Sequence, residues 1–597
     1  MFRLTHFLLS FLLFALHPGD GGAAAPINSI AELWAGVDPR RDPLEIEIIK
    51  SADEGEIHID QLYFTSETWE GEKVRVFAYR GAPKVGAKLP GVVHMHGGGQ
   101  TALIDWVRFW AKRGYVCVSF DWCGTWDKNT RPHYAKWGKV AGDMMKGNLG
   151  NMKPTPQFNP WYHWMLAGRR ALTLLERHPQ VDPQRLGFFG ISMGGYMTWS
   201  IAAIDTRVKA AVAFYGYGWT TYTLAPSPPG PVDNDRLLYR KLIDSEAYAP
   251  LLTCPILFMS ATNDFCIGMD RSYDTLELVR SAVKRQVYTP HYNHHVEPAE
   301  GKDLPRWMDW QLKGSGGPWP RTPGLVLAGA SIPEIRVAPD EIEKVTEVRI
   351  YYALNNPKPL SRFWRLAGDV RREGPLYCAT APFLTPEDTI YAFANVTYAS
   401  GVTLSSRLVR VPVQELPDAH PTLRRSSLID PMENSEAWYY LAAYTDPSLD
   451  FGYFKPWTGP GGERGFTLDA TYLGDPMNFA FATHKLGDPQ WRGSGQTPLL
   501  LDVLAERMPQ KLEIKVTERH WQATLKEYTA SPTLGASRAG WVTLRLQPAD
   551  FKSSDGKSLA CWDEVNHLVL AGTAPAAQPP VFKRLRWQEK SSGVRLP

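Results

Sequence analysis

The chain reads as a doubly wound, mostly parallel α/β domain followed by two β-sandwich domains, and three observations carry that reading. Between about residues 45 and 312, apolar β-type runs alternate with helical ones. Several of these runs are continuously apolar rather than alternating, as strands covered by helices on both faces must be. At residue 314 the alternation stops in a Gly/Pro-rich stretch, GSGGPWPRTPG, and the remainder is β-type almost throughout.

In chain order, the expected strands of the α/β domain are KVRVFAY (73–79), PGVVHM (90–95), VCVSFDW (116–122), RLGFFG (185–190), KAAVAFYG (209–216), PILFMSA (255–261) and RQVYTP (285–290). Helices are expected over 102–113, 161–177, 194–204, 270–283 and 304–312. Two longer stretches, 123–160 and 217–249, follow strand carboxyl ends, where such sheets bind ligands, and read as lids or substrate walls. Beyond 316, strands at 345–354, 362–368, 389–398 and 405–411 suggest an immunoglobulin- or fibronectin-like sandwich over 317–414. Strands at 511–518, 541–547, 567–572 and 581–588 suggest a second, jelly-roll-like sandwich over 415–597.

A chain of 597 residues is too long for a single core, which agrees with this division. The first 25 residues hold Arg3, an apolar run (7–16) and a small-residue stretch ending at Ala25, the layout of a cleaved secretory leader. The α/β domain is then expected over 26–316. The apolar run is shorter than the roughly 20 residues that span a bilayer, so no membrane span is expected once the leader is removed, and the protein is expected to be secreted or periplasmic.

With 65 basic against 62 acidic residues, no field attracts a polyanion, and nucleic acid is not an expected partner. The six cysteines (117, 123, 254, 266, 378 and 561) lack the paired short spacing of a zinc site and read as mostly buried thiols. No metal or cofactor is expected, and the sequence does not indicate an oligomeric state.

The chemistry lies in four short segments. Gly190-Ile191-Ser192-Met193-Gly194 follows a strand and opens a helix, so Ser192 sits on a strand-to-helix turn that projects its hydroxyl above the sheet. Serine is a weak nucleophile unless a histidine lies within hydrogen-bond reach, itself oriented by a carboxylate. Asp264 follows the strand 255–261, and the strand 285–290 is followed by His291, His294 and His295. Asp270 is the alternative acid, although it stands at a helix start, where an N-cap role explains an aspartate. Acyl transfer also needs donors for the oxyanion. The segment His96-Gly97-Gly98-Gly99-Gln100 follows a strand, and Gly98 and Met193 are the expected backbone donors. A phosphate-binding role for this glycine loop lacks the G-K-[ST] signature.

With HGGGQ, GISMGG, ATNDF and NHHV in this order, residues 89–310 resemble the dienelactone hydrolase and acetyl xylan esterase branch of the α/β-hydrolases, to which prolyl oligopeptidase catalytic domains are related. The resemblance implies an acyl-enzyme on Ser192, hydrolysed by water, without a cofactor. It also places the base four residues beyond the proline that closes the preceding strand, which is His294, with His295 second and His291 third. The segment WDEV (562–565), HLVLAG (567–572) and FKRLRWQ (582–588) is similar to the closing strands of jelly-roll carbohydrate-binding modules. The chain holds 22 tryptophans, yet Trp541, Trp562 and Trp587 read as core before sugar platform.

The resulting expectation is an exported serine carboxylesterase that removes acetyl or another acyl group from a carbohydrate or other small ester. The alternative is a secreted serine peptidase of the prolyl oligopeptidase type, whose β-propeller has no counterpart in the sequence. A binding protein on a degenerate hydrolase fold is a third reading.

Overall fold

The computed structural model describes residues 26–69, 71–122, 152–216, 234–265, 268–296, 301–441, 454–469, 473, 475–520, 526–533 and 540–589. Residues 1–25, where a leader is expected, most of the 123–160 stretch, residues 217–233, and Cys123 and Cys266 lie outside them.

The amino-terminal domain is built on a nine-stranded sheet: β1 (Glu47–Glu54), β2 (Ile57–Trp69), β3 (Glu72–Pro83), β4 (Leu89–Met95), β5 (Val116–Phe120), β6 (Val181–Ile191), β7 (Val208–Phe214), β8 (Ile256–Ala261) and β9 (Lys284–Thr289). Their spatial order is β1-β2-β3-β5-β4-β6-β7-β8-β9. From β5 to β9 every pairing is parallel, whereas β1, β2, β3 and β5 pair antiparallel. Every residue of β5 and β8 is buried, and so is all of β4 beyond Leu89, which is why these strands read as unbroken apolar runs. The pleat sends neighbours to opposite faces. A Cβ on Gly187 would meet Met308 and Leu312 at 2.9 Å, while Phe188 lies against Gly168 and Ile201 on the other face.

Helix boundaries follow local chemistry. Pro160–Glu176 has Asn159 as N-cap, accepting the Trp161 N–H at 3.0 Å, and Pro160 at its first position. This helix is buried nearly all round, including Arg170, whose guanidinium donates to the carbonyls of Pro39, Asp42, Pro43 and Thr65 and so ties the amino-terminal segment to the sheet. Met269–Leu278 ends earlier than its expected limit at 283. Asp303–Met308 continues as a π-turn, Asp309–Lys313, which Gly314 closes at φ +71.

Two antiparallel sheets follow over residues 324–412, and two more over 428–587, giving mostly antiparallel β layers after the α/β domain. The strand expected over 362–368 is reduced to Arg365–Leu366, because Ser361 and Arg362 are drawn into a turn. The first pair of sheets covers the free edge of β9: Tyr288 N–H donates to Ser405 Oγ at 2.8 Å, and Asn395 Nδ2 donates to Tyr288 O at 3.0 Å. An edge strand left open would invite pairing with another chain. Trp562 and Trp587 are buried in the core of the last region. Trp541 is half-buried, donating to Glu463 at 2.9 Å beneath the Lys583 ammonium. The four described cysteines are free thiols, Cys117 and Cys378 buried and the other two partly so.

A buried ion pair joins the two β regions. Arg365 donates through Nε to Asp488 at 3.0 Å, through Nη2 to its second oxygen, and through Nη1 to Gln490 at 2.6 Å. Burial holds the Asp488 carboxyl above its ordinary range even against this guanidinium, so desolvation outweighs the attraction. Asp488→Ala, which strands a buried cation, is expected to cost about 3–5 kcal/mol in denaturant unfolding, while the double replacement Arg365→Met/Asp488→Leu stays near wild type.

Candidate active site

The elbow around Ser192 is dictated by steric exclusion. β6 ends at Ile191, Ser192 takes φ 57 and ψ −116, and the helix Met193–Ile204 begins at the next residue. That conformation is unfavourable for a side-chain-bearing residue and holds only because its surroundings determine it. Ser192 N–H donates to Phe214 O, and Tyr196 N–H donates to Ser192 O, both at 2.9 Å. A Cβ on Gly190 would lie 2.2 Å from Gly194 O, on Gly194 2.1 Å from Met95 O, and on Gly195 2.2 Å from Phe214 O. The glycines of GISMGG are therefore required by close passage of main chains.

The other two groups arrive on the ends of β8 and β9. Asp264 is fully buried, and its Oδ2 accepts from His294 Nδ1 at 2.7 Å. His294 Nε2 lies 2.8 Å from Ser192 Oγ. This network fixes the tautomer in which Nδ1 carries the proton and Nε2 accepts from the serine. Of the three candidate histidines the structure brings His294 to Ser192. His291 is buried at φ 67 and stacks on Phe363, with ring centroids 5.0 Å apart, and His295 stands one residue beyond His294. Asp270 is removed from this group: Arg362 clamps it through two bonds of 2.7 and 3.0 Å. Its expected N-cap role is also corrected, since Gly268 is the N-cap and Asp270 lies inside the first turn.

The glycine loop after β4 passes over the same point. A Cβ on Gly97 would come 3.2 Å from Ser192 Cβ, and Gly97 N–H donates to Gln100 Oε1 at 2.9 Å. Gly98 follows as an exposed residue. Met193 opens its helix, so its N–H has no intrahelical acceptor and stands at the positive end of the helix dipole. Behind the loop, His96 stacks on Trp122 with centroids 4.9 Å apart, and Trp122 Nε1 donates to His96 O at 2.9 Å, which steadies the turn.

Some of the surroundings left no mark in the sequence. Tyr215 and Phe265 flank the His294 ring at 4.6 and 5.1 Å, and Asn293 Oδ1 accepts from Phe265 N–H at 2.8 Å. Asn263, next to Asp264, donates to Leu360 O and Arg362 O of the following β region at 3.0 and 2.7 Å. Contacts between residues about a hundred positions apart carry no local signal. A cavity of about 420 Å³ beside the elbow is lined by Trp106, Phe109, Ile191, Phe214, Tyr215 and Leu304, among others.

A mostly parallel sheet with a serine elbow after β6, an acid after β8 and a histidine after β9 is the arrangement of the α/β-hydrolase class, and the amino-terminal domain has that fold. Within it, residues 43–221 match the family model for acetyl xylan esterase (AXE1), and residues 169–312 match that of the prolyl oligopeptidase family. Among curated relatives, the acetyl esterase Axe7A of Xylanibacter ruminicola is 24% identical over 253 residues, 40% of this chain and 56% of the relative. The Bacillus subtilis (strain 168) protein YtaP is 26% identical over 190 residues, 29% of this chain and 58% of the relative. The chain thus spans little more than half the length of either. Among solved structures, an acetyl xylan esterase from Paenibacillus sp. R4 covers 46% of this chain and 91% of its own, at 16% identity and a TM-score of 0.38.

Proposed function

We propose that the protein is an exported serine carboxylic-ester hydrolase that deacylates a carbohydrate, with Ser192 as nucleophile, His294 as general base and Asp264 as its orienting carboxylate. The observation that carries this is the unbroken chain of short hydrogen bonds from Asp264 through His294 to a serine held on a strained elbow. Ser192 Oγ attacks the ester carbonyl while its proton passes to His294 Nε2. The tetrahedral oxyanion is held by the N–H groups of Met193 and Gly98. Collapse expels the alcohol, which takes the proton from His294, and water activated by the same imidazole then cleaves the acyl-enzyme.

Support for an acylated sugar comes from the acetyl xylan esterase match, which spans both the glycine loop and the elbow, and from the acetyl esterase relative. Export is inferred from the leader pattern of residues 1–25. No described helix is long and apolar enough to cross a membrane. The prolyl oligopeptidase match covers all three triad positions and keeps a peptidase as the competing reading.

The deciding experiment measures acetate released from acetylated xylan and from p-nitrophenyl acetate, beside cleavage of prolyl peptides. Release from both esters and none from peptides is the expected result. Peptide cleavage without acetate release would overturn the proposal.

A further inference from the structure

Three histidines far apart in sequence converge in the last β region. Its five-stranded sheet has the order Tyr439–Tyr440, Met477–Thr483, Val565–Ala574, Lys511–Glu518, Lys526–Ala530. His484 directly follows the second of these strands, His567 lies in the third, and His520 stands two residues past the fourth. The register pairs Thr483 with Leu568 and Thr517 with His567, so all three imidazoles gather at one end of three adjacent strands. Their rings lie close together, His520 stacked on His567 at 4.0 Å and His484 tilted against it at 4.8 Å. One ligand nitrogen from each lies within 4.8 Å of the other two.

The hydrogen bonding is that of a ligand set rather than of a packed core. Both nitrogens of His484 and the Nδ1 atoms of His520 and His567 are buried without a partner among the described residues. Buried polar atoms are ordinarily paired, and one such nitrogen from each of the three rings is placed to share a partner with the other two. His567 Nε2 is 2.8 Å from the Tyr439 hydroxyl. A ligating histidine typically gives its second ring N–H to such an acceptor, which leaves Nδ1 free for the ion. Tetrahedral zinc sets its nitrogens roughly 3.3 Å apart, a separation the set reaches by drawing in from its present span of up to 4.8 Å.

We infer that His484, His520 and His567 bind a zinc ion, with Tyr439 as the outer hydrogen-bond partner of His567. Imidazole donors without thiolate or carboxylate suit zinc among the available divalent ions, although copper and nickel share the preference. The Tyr439 ring also packs on Tyr292, with centroids 6.2 Å apart, two residues before His294. The ion thus fastens the face of this sheet that lies beside the loop carrying His294.

The test uses the full-length protein, stripped with a chelator, dialysed against zinc and assayed for bound metal by mass spectrometry. Cobalt(II) substitution supplies a second readout through its tetrahedral visible absorption. One zinc per chain is expected, together with a cobalt spectrum and a zinc-dependent rise in melting temperature. His520→Ala, at the most exposed of the three, is expected to abolish both metal signals, and Tyr439→Phe to weaken zinc binding 10- to 100-fold. Circular dichroism establishes that each variant is folded. Absence of zinc and of the cobalt spectrum from the wild type, or equal zinc uptake by folded His520→Ala, would overturn the assignment.

Discussion

Ser192→Ala is expected to lower kcat for p-nitrophenyl acetate on the order of 10⁵-fold or more, and His294→Ala by a similar factor. The two groups act as one unit, because the 2.8 Å contact between Oγ and Nε2 is the path by which the nucleophile loses its proton. The double variant should therefore be no worse than either single one, and the residual rate reflects the oxyanion donors and substrate binding that remain. Asp264→Asn is expected to cost about 10⁴-fold, since an amide at this buried position favours the wrong imidazole tautomer. His295→Ala and Asp270→Asn serve as controls whose kcat stays within a few-fold of wild type. Steady-state kinetics on the six proteins separates the readings: a Ser192→Ala rate near wild type, or losses in the double variant that multiply, would refute the triad.

Gly194→Ala is expected to damage both stability and turnover, for a reason unrelated to proton transfer. The added Cβ would sit 2.1 Å from Met95 O and 2.7 Å from His96 O. Overpacking a side chain into a core usually costs about 1–3 kcal/mol, because neighbouring side chains can turn away. Here the obstacle is main chain at the end of β4, so the cost belongs at or above the top of that range. Relief requires moving the strand end that carries the Gly97–Gly98 turn, and turnover should fall along with the melting temperature. Gly368→Ala is the matched control: nothing lies within 4 Å of its Cβ, and it should melt like wild type. Equal melting temperatures for the two variants would contradict the elbow geometry.

The readable parts of the fold were those in which one physical constraint dominates. β4, β5, β7, β8 and the second half of β6 are legible because burial on both faces demands continuous apolar sequence. β1 carries no apolar signature because it is a largely exposed edge strand with Glu47, Lys50, Asp53 and Glu54, and β2 carries no continuous one because His58, Asp60, Gln61, Thr65 and Glu67 interrupt its apolar residues. The GISMGG elbow was legible because strand, tight turn and helix start fall within one short segment, although the carbonyls that exclude a side chain at Gly194 and Gly195 belong to Met95 and Phe214. Asp270 near a helix start suggests a cap from local sequence, whereas the Arg362 that binds it lies 92 positions away and leaves no local signal.

The sequence by itself determined which groups stand at the carboxyl ends of β6, β8 and β9, since strand, turn and helix patterns are local and the order serine, acid, histidine follows from them. It left three histidines within five residues as candidate bases. Only the tertiary structure selected among them, because the path of the chain after β9 turns His291 into the interface with Phe363 and presents His294 between Asp264 and Ser192. The gathering of His484, His520 and His567 was likewise decided only by strand pairing, because β register brings together residues whose separation along the chain carries no periodic signal.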